Sequence, residues 1–174
     1  IERASPAYVL WDDPLMLMFL AGAKFRDMDE KKKFFADALG ICEGISSRLS
    51  KSDGKGSAGD IRLARALVQA VAAKINLADA IITGYLKKDR KALGKSLPLI
   101  ADYGLKLKGF TSAFRTMWLR NNKPFGLETM QIRLAGQEAR LKELSIRLGE
   151  YVSGKTDSIP ELEEMRKVKG KTYV

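Results

Sequence analysis

The sequence predicts an all-α fold, an up-down bundle of three to four long helices with a non-helical N-terminal arm. Apolar residues recur at spacings of three and four through most of the 174-residue chain, as in helices that bury one face. Proline and glycine clusters separate these stretches, and only residues 7–11 (AYVLW) have a composition typical of a strand.

The first half of the chain contains two predicted long helices. An apolar patch after Pro14 predicts a short helix over 14–20, and the spacing then predicts an amphipathic helix over 31–49. Residues 50–59 (SKSDGKGSAG) predict a mobile loop. Asp60 is a suitable N-cap for a second long helix over 61–87.

The second half contains two further helical stretches. One is predicted over 90–120, with a kink or restart at Pro98 because proline removes a backbone donor and clashes with the preceding turn. The other, over 127–152, has the most regular seam. Its members are Leu127, Met130, Leu134, Gln137, Leu141, Leu144, Leu148 and Tyr151. A short acidic helix is expected over 161–165, and the run at 167–171 should fray.

The chain contains no histidine and a single cysteine, Cys42. Ser-His-Asp and Cys-His catalysis, His-ligated zinc and haem sites and internal disulfides are therefore excluded within these residues. Cys42 lies on an apolar helix face, which favours a buried, inert thiol. No metal or other cofactor is expected.

The net charge of +10 suggests a nucleic-acid partner. The lysines, however, are scattered over several helices and loops, and no nucleic-acid-binding motif accompanies them, so the sequence argues against a nucleic-acid partner. The most apolar run, residues 15–21, is far shorter than a membrane span. We therefore expect no membrane-spanning segment.

Asp12 and Asp13 are adjacent carboxylates that admit two interpretations. Paired carboxyls perform acid–base catalysis in glycosidases when they sit in a cleft and are tuned differently. Here the pair precedes Pro14, so capping a turn or helix fits at least as well.

Arg133, Arg140 and Arg147 recur every seven residues along the last long helix. This row could contact phosphates, pair with carboxylates of an adjoining domain, or be solvated, with Glu143 placed for an intrahelical pair to Arg147.

The stretch 118–128 (WLRNNKPFGLE) contains a tryptophan, an arginine and a Pro-Phe-Gly turn, whereas a plain helix connection requires only a few small polar residues. Tryptophan and arginine are favoured interface anchors, so this end of the bundle is predicted to contact another domain. Plain local core packing is the alternative.

The same stretch carries a family resemblance. Together with 132–136 (IRLAG) and 159–164 (IPELEE), it resembles the C-terminal helical region of bacterial family-20 glycoside hydrolases, the β-N-acetylhexosaminidases. Residues 10–15 (LWDDPL) resemble the segment by which such chains leave the catalytic barrel. Residues 31–96 contribute only a helical pattern.

The resemblance implies a domain appended to a catalytic (β/α)₈ barrel, in which an adjacent Asp-Glu pair of the barrel acts with the substrate's own N-acetyl group. The lone Asp29-Glu30 dipeptide here lies in a polar run before a helix, so it does not match that pair. Residues 1–30 are then an arm leaving the barrel, and residues 31–174 are the helical domain. Because Ile1 is not an initiator methionine, we expect an excised fragment.

On this interpretation the chain is a non-catalytic accessory domain whose partner is the barrel of its parent chain, or which forms a homodimer interface. The residues expected to dock are Trp11, Leu15, Trp118, Arg120, Phe125, Arg133 and Arg140, with the apolar arm covered by the barrel. The alternative is a free-standing basic helical module that binds protein or nucleic acid.

Overall fold

A computed structural model describes residues 6–18, 20, 28–51 and 58–167. Its helices are α1 (Pro6–Trp11), α2 (Met28–Lys51), α3 (Ala58–Leu86), α4 (Arg90–Asn121), α5 (Leu127–Val152) and α6 (Pro160–Lys167). No strand occurs in these residues. The all-α prediction with four long helices is confirmed.

Helices α3, α4 and α5 pack in sequence as antiparallel neighbours, and α2 packs on the outer side of α3. The α3–α4 contact is the most extensive. Gly84 permits it, because a Cβ there would lie 2.8 Å from the Leu93 side chain. Tyr85, Leu93 and Tyr103 are fully buried in this contact.

Helix α5 has the bounds that the sequence predicts. Every member of its seam except Met130 is buried, and Gly154 with φ of 80° follows it. The apolar period locates the buried face, and the Pro124–Gly126 loop and Gly154 mark the two ends.

The predicted restart at Pro98 is wrong. Helix α4 runs without interruption from Arg90 to Asn121 with Pro98 inside it. The proline is exposed, whereas Leu93, Ser96 and Ile100 on either side of it are buried. Burial on both flanks offsets the cost of an internal proline, about 3 kcal/mol.

The N-terminal arm differs from its prediction in two ways. Residues 7–11, expected to be extended, lie in helix α1, whose last residues are held by side chains of α3 and α5. The short helix expected over 14–20 is interrupted, because Leu17 has φ of 51°. Leu17 is nevertheless buried, which holds this left-handed backbone in place.

The loop predicted over 50–59 is shorter than expected, since α2 ends at Lys51 and α3 begins at Ala58. Asp60 therefore lies in the first turn of α3 rather than at its N-cap. Residues 52–57 of the loop and 168–171 of the C-terminal run lie outside the described residues.

Among the described residues, α3 has the length and hydropathy to cross a membrane, with a mean hydropathy of 1.4 over its most apolar 18 residues. Half of that window is buried within the chain, and the central helix of a helical core meets the same criterion. The sequence argument against a membrane span considered only residues 15–21 and overlooked this helix.

Candidate functional site

A buried lysine holds the N-terminal arm on the bundle. Lys74 of α3 is 1% exposed, and its Nζ donates to the Leu10 carbonyl (2.8 Å), the Gln137 Oε1 (3.0 Å) and the Asp12 carbonyl. Burial lowers its pKa to about 8, against the opposing effect of the Asp12 and Asp13 carboxylates. Lys74 thus supplies donors to carbonyls at the end of α1 that have no intrahelical partner. We call these contacts the Lys74 clamp.

Helix α5 completes the clamp. The Gln137 Nε2 donates to the Trp11 carbonyl at 3.2 Å, so the Gln137 amide joins α3 and the arm. Lys74 Nζ lies 5.6 Å from the centroid of the Tyr103 ring. The Tyr103 hydroxyl is buried and has no hydrogen-bond partner among the described residues, and burial, aided by the Asp12 charge, raises its pKa.

The two adjacent carboxylates have structural contacts. Asp13 Oδ1 accepts from the Leu15 and Met16 backbone N–H groups (2.8 and 3.0 Å), which caps the turn that follows. Asp13 Oδ2 lies 2.6 Å from Arg140 Nε. Asp12 is buried, and its Oδ2 accepts from the Leu20 N–H at 3.1 Å. The capping interpretation is therefore the one that the structure supports.

The arginine row on α5 divides into three different roles. Arg140 pairs with Asp13 of the arm, and Arg147 NH2 lies 3.3 Å from Glu161 of α6. The predicted pair of Arg147 with Glu143 is loose, at 3.9 Å. Arg133 is exposed. Two of the three arginines thus attach the arm and α6 to α5.

The arm residues proposed for docking face this bundle. Leu15 is 0% exposed and Trp11 is half-buried against the core. Leu15 is thus covered by the chain's own bundle, and its docking on another domain stays a prediction. Met16 and Met18 of the arm remain exposed.

The loop between α4 and α5 has a fixed shape. The Trp118 indole N–H donates to the Lys123 carbonyl at 3.1 Å, and its ring packs on Phe114 with 5.7 Å between centroids. Gly126 has φ of 90°, and a Cβ there would lie 3.3 Å from the Trp118 ring. Phe125 projects from this loop and is 81% exposed.

Arg120 joins the same end of the bundle to α3. Its NH2 lies 2.7 Å from Asp60 Oδ1, and its Nε donates to Asn121 Oδ1 at 3.1 Å. Gly59 leaves room for this guanidinium, because a Cβ there would lie 2.0 Å from it. Trp118, Arg120 and Phe125 are thus brought together, while Arg140 lies with the Lys74 clamp.

A tyrosine holds the C-terminal helix at the opposite end. The Tyr85 hydroxyl donates to Glu163 Oε1 at 2.7 Å and accepts from the Ile159 N–H at 2.8 Å. Burial raises the Tyr85 pKa to about 12. Ile159 and Leu162 are buried beside it, so α6 is part of the core.

Sequence reasoning missed the buried lysines. Lys31, in a run interpreted as scattered surface charge, is buried and bonds Asp79 and Thr83. Lys74 interrupts an otherwise apolar seam, between Val71 and Ala78, and that position was an available signal. A cation on a buried face must find acceptors nearby.

The remaining features offer no reactive centre among the described residues. No group of histidine, cysteine or carboxylate residues suited to a metal occurs there. An open groove of about 610 Å³ lies between α2, α3 and α4, beside Cys42. Burial and the adjacent Glu43 raise the Cys42 pKa, which agrees with an inert thiol.

The fold and these contacts define a helical domain in which the segment around Asp13 and helix α6 both pair with the long helix α5. The chain matches the model of the Glycoside Hydrolase 20C C-terminal domain over residues 2–172 and belongs to that family. The resemblance seen in the sequence is thereby confirmed. No curated protein shows significant similarity to the chain.

Proposed function

We propose that this chain is a non-catalytic accessory domain of a β-N-acetylhexosaminidase, and that it buttresses the catalytic barrel preceding it. The family assignment supports a place at the C-terminal side of a glycoside hydrolase. The finer assignment rests on the arm, whose residues 10–15 resemble the exit from such a barrel.

The observation that carries the proposal is the Lys74 clamp. It holds Leu10, Trp11 and Asp12, the residues that would leave the barrel, directly on α3 and α5. Among the described residues, these contacts attach the exit point to the bundle without an intervening linker. The bundle would then restrain the barrel as a rigid attachment rather than as a tethered module.

The described carboxylates of the arm do not offer an acid–base pair. Asp13 pairs with Arg140 and caps a turn, and Asp12 accepts a backbone N–H in a buried position. Catalytic carboxyls need access to substrate and differently tuned acidities. Glycoside hydrolysis is therefore assigned to the barrel.

The test uses the full-length parent enzyme and the variant Lys74→Met, assayed on a chromogenic N-acetyl-β-D-glucosaminide. We expect kcat/KM at 25 °C within twofold of wild type, and activity lost on heating at a temperature several degrees lower. Lys95→Met, at an exposed position on α4, is the matched control and should change neither.

Two results would contradict the proposal. A fall of a hundredfold or more in kcat/KM, with the enzyme still folded, would assign the domain a direct role in catalysis. An unchanged inactivation temperature would mean that the clamp does not support the barrel.

A further inference from the structure

One end of the bundle carries a concentration of positive charge. It comprises the first two turns of α3, the last two turns of α4, the α4–α5 loop and the first two turns of α5. Six cations lie there, Arg62, Arg65, Arg115, Arg120, Lys123 and Arg133. Their only carboxylate neighbours within those segments are Asp60 and Glu128. We call this surface the basic end.

Four of these cations are available to a partner. Arg120 is committed to Asp60 and Arg65 donates to the Leu49 carbonyl, but Arg62, Arg115, Lys123 and Arg133 are exposed. Within the described part of the chain, no ion pair or side-chain hydrogen bond engages those four exposed side chains. These four cations can therefore bind carboxylates of a partner without first breaking an ion pair.

An apolar centre lies among them. Phe125 is 81% exposed and Leu119 is 41% exposed, with the half-buried Trp118 between α4 and the loop. The Trp118–Lys123 hydrogen bond and the left-handed Gly126 fix the loop, so Phe125 is presented without further ordering. An apolar centre with a charged rim is the anatomy of a protein interface.

The arrangement disfavours a second copy of this chain as the partner. Two basic ends would repel each other. At the opposite end of the bundle, Glu150 pairs with Lys155 at 2.6 Å and Asp157 pairs with Arg90 at 3.2 Å. A head-to-tail copy would therefore offer no excess of negative charge.

The arrangement also differs from a site for a flexible polyanion. Such sites place cations along a groove that follows the polymer. Here the exposed cations are distributed over α3, α4, the loop and α5 rather than along one groove. Phe125, two residues from Lys123, is 81% exposed and fits a pocket in a folded partner.

We infer that the basic end docks on the preceding catalytic domain, with Phe125 in an apolar pocket and Arg115, Lys123 and Arg133 against an acidic rim. The inference rests on the proposed function and specifies the face that performs it. It predicts a surface of the barrel whose carboxylates exceed its cations, at the place where the bundle sits.

The first test is zero-length carbodiimide cross-linking of the full-length parent protein, followed by mass spectrometry. This reagent joins amines to carboxylates only in direct contact, so Lys123 should link to aspartates or glutamates of the barrel. Lys95 and Lys142, exposed on other parts of the bundle, serve as internal controls and should not. The Lys123 links should weaken at 1 M salt, because exposed ion pairs are screened.

The second test compares Arg115→Glu/Arg133→Glu with Lys95→Glu/Lys142→Glu in the same protein. Both pairs change the net charge equally, and circular dichroism checks that each variant is folded. Only the first pair should abolish the Lys123 links and split thermal unfolding into separate transitions for barrel and bundle.

The remaining outcomes overturn the inference in distinguishable ways. Barrel links confined to other lysines would refute the basic end as the docking face while leaving the proposed function intact. Independent unfolding of wild-type barrel and bundle without any links between them would refute both. Links from Lys123 to a second copy, or binding of a polyanion at this end with Lys123 unlinked to the barrel, would replace the barrel as its partner.

Discussion

Arg140 of α5 and Asp13 of the arm form an ion pair with 2.6 Å between Nε and Oδ2, although 127 positions of sequence separate them. The same carboxylate caps the turn at Leu15 and Met16. The Asp13 side chain therefore both caps the turn and attaches it to the bundle.

Asp13→Asn should destabilise the protein in a pH-dependent manner. Burial raises the Asp13 pKa, but the Arg140 hydrogen bond and the Met16 and Leu15 N–H groups outweigh it, so the net pKa lies below 3.8. The stabilisation is therefore complete above about pH 4 and lost as pH falls through the folded-state pKa. At pH 7 we expect a cost of about 1 kcal/mol, since Arg140 is partly exposed and screened.

Urea unfolding at pH 7 and pH 3 measures this effect, with Asp102→Asn on the exposed side of α4 as the control. The wild-type advantage over Asp13→Asn should shrink at the lower pH. An advantage that is the same at both values would contradict the assigned pairing.

Lys74→Met should cost about 3 kcal/mol at pH 7, because three buried acceptors lose their donor. The pH dependence has the same sign as that of Asp13, a rise of stability with pH, but it lies in an alkaline window. The folded-state pKa is about 8 against an ordinary 10.5, so the unfolded chain binds more protons between those values. The unfolding free energy of wild type relative to Lys74→Met should rise by up to about 1.4 kcal/mol per pH unit across that window.

Denaturant unfolding of both proteins at pH 7, 8, 9 and 10 gives this difference directly. Lys95→Met again provides the exposed control. A difference that falls with pH above 8 would mean that Lys74 is stabilised in its charged form, contrary to its burial.

Tyr85→Phe should loosen α6 while leaving the rest of the bundle folded. The substitution removes the hydroxyl that bonds Glu163 and Ile159, at a cost of about 1–2 kcal/mol. Tyr151→Phe is a suitable control because it removes a hydroxyl from the neighbouring ring, whose centroid lies 5.2 Å from that of Tyr85, and keeps the ring itself. Hydrogen exchange should accelerate in residues 160–167 for Tyr85→Phe alone, and equal acceleration in both variants would argue against the hydroxyl contacts.

Two glycine substitutions should have opposite effects. Gly84→Ala places a Cβ 2.8 Å from Leu93, and overpacking of this kind costs about 1–3 kcal/mol. Gly40→Ala on α2 meets no atom within 4 Å and should stabilise the helix by up to about 1 kcal/mol. Thermal unfolding compares them, and a Gly84→Ala protein as stable as wild type would show that α3 and α4 can separate slightly.

The sequence was informative where one signal dominated. Helix α5 buries one face throughout, and the Pro124–Gly126 loop before it and Gly154 after it mark its ends. Pro98 was misjudged because intrinsic propensity is a local quantity, whereas the packing of Leu93 and Ile100 that keeps α4 continuous is not.

The candidate site was less accessible to sequence reasoning. The composition of residues 7–11 suits a strand, but no strand among the described residues pairs with them, and Lys74 instead receives the carbonyls of a helix end. Arg133, Arg140 and Arg147 were correctly grouped as one row. Only the three-dimensional placement of Asp13 and Glu161 shows that two of them hold segments of the same chain.

The order of synthesis also determines when the Lys74 clamp can form. Leu10 is made 64 residues before Lys74, and Trp11 is made 126 residues before Gln137. At typical rates of 5–20 residues per second, the second interval lasts about 6–25 s. During that time water must satisfy the Trp11 carbonyl, so the domain closes only when the last long helix has left the ribosome. A nascent chain that stops before Gln137 contains helices α1 to α4 but lacks the glutamine that completes the Lys74 clamp.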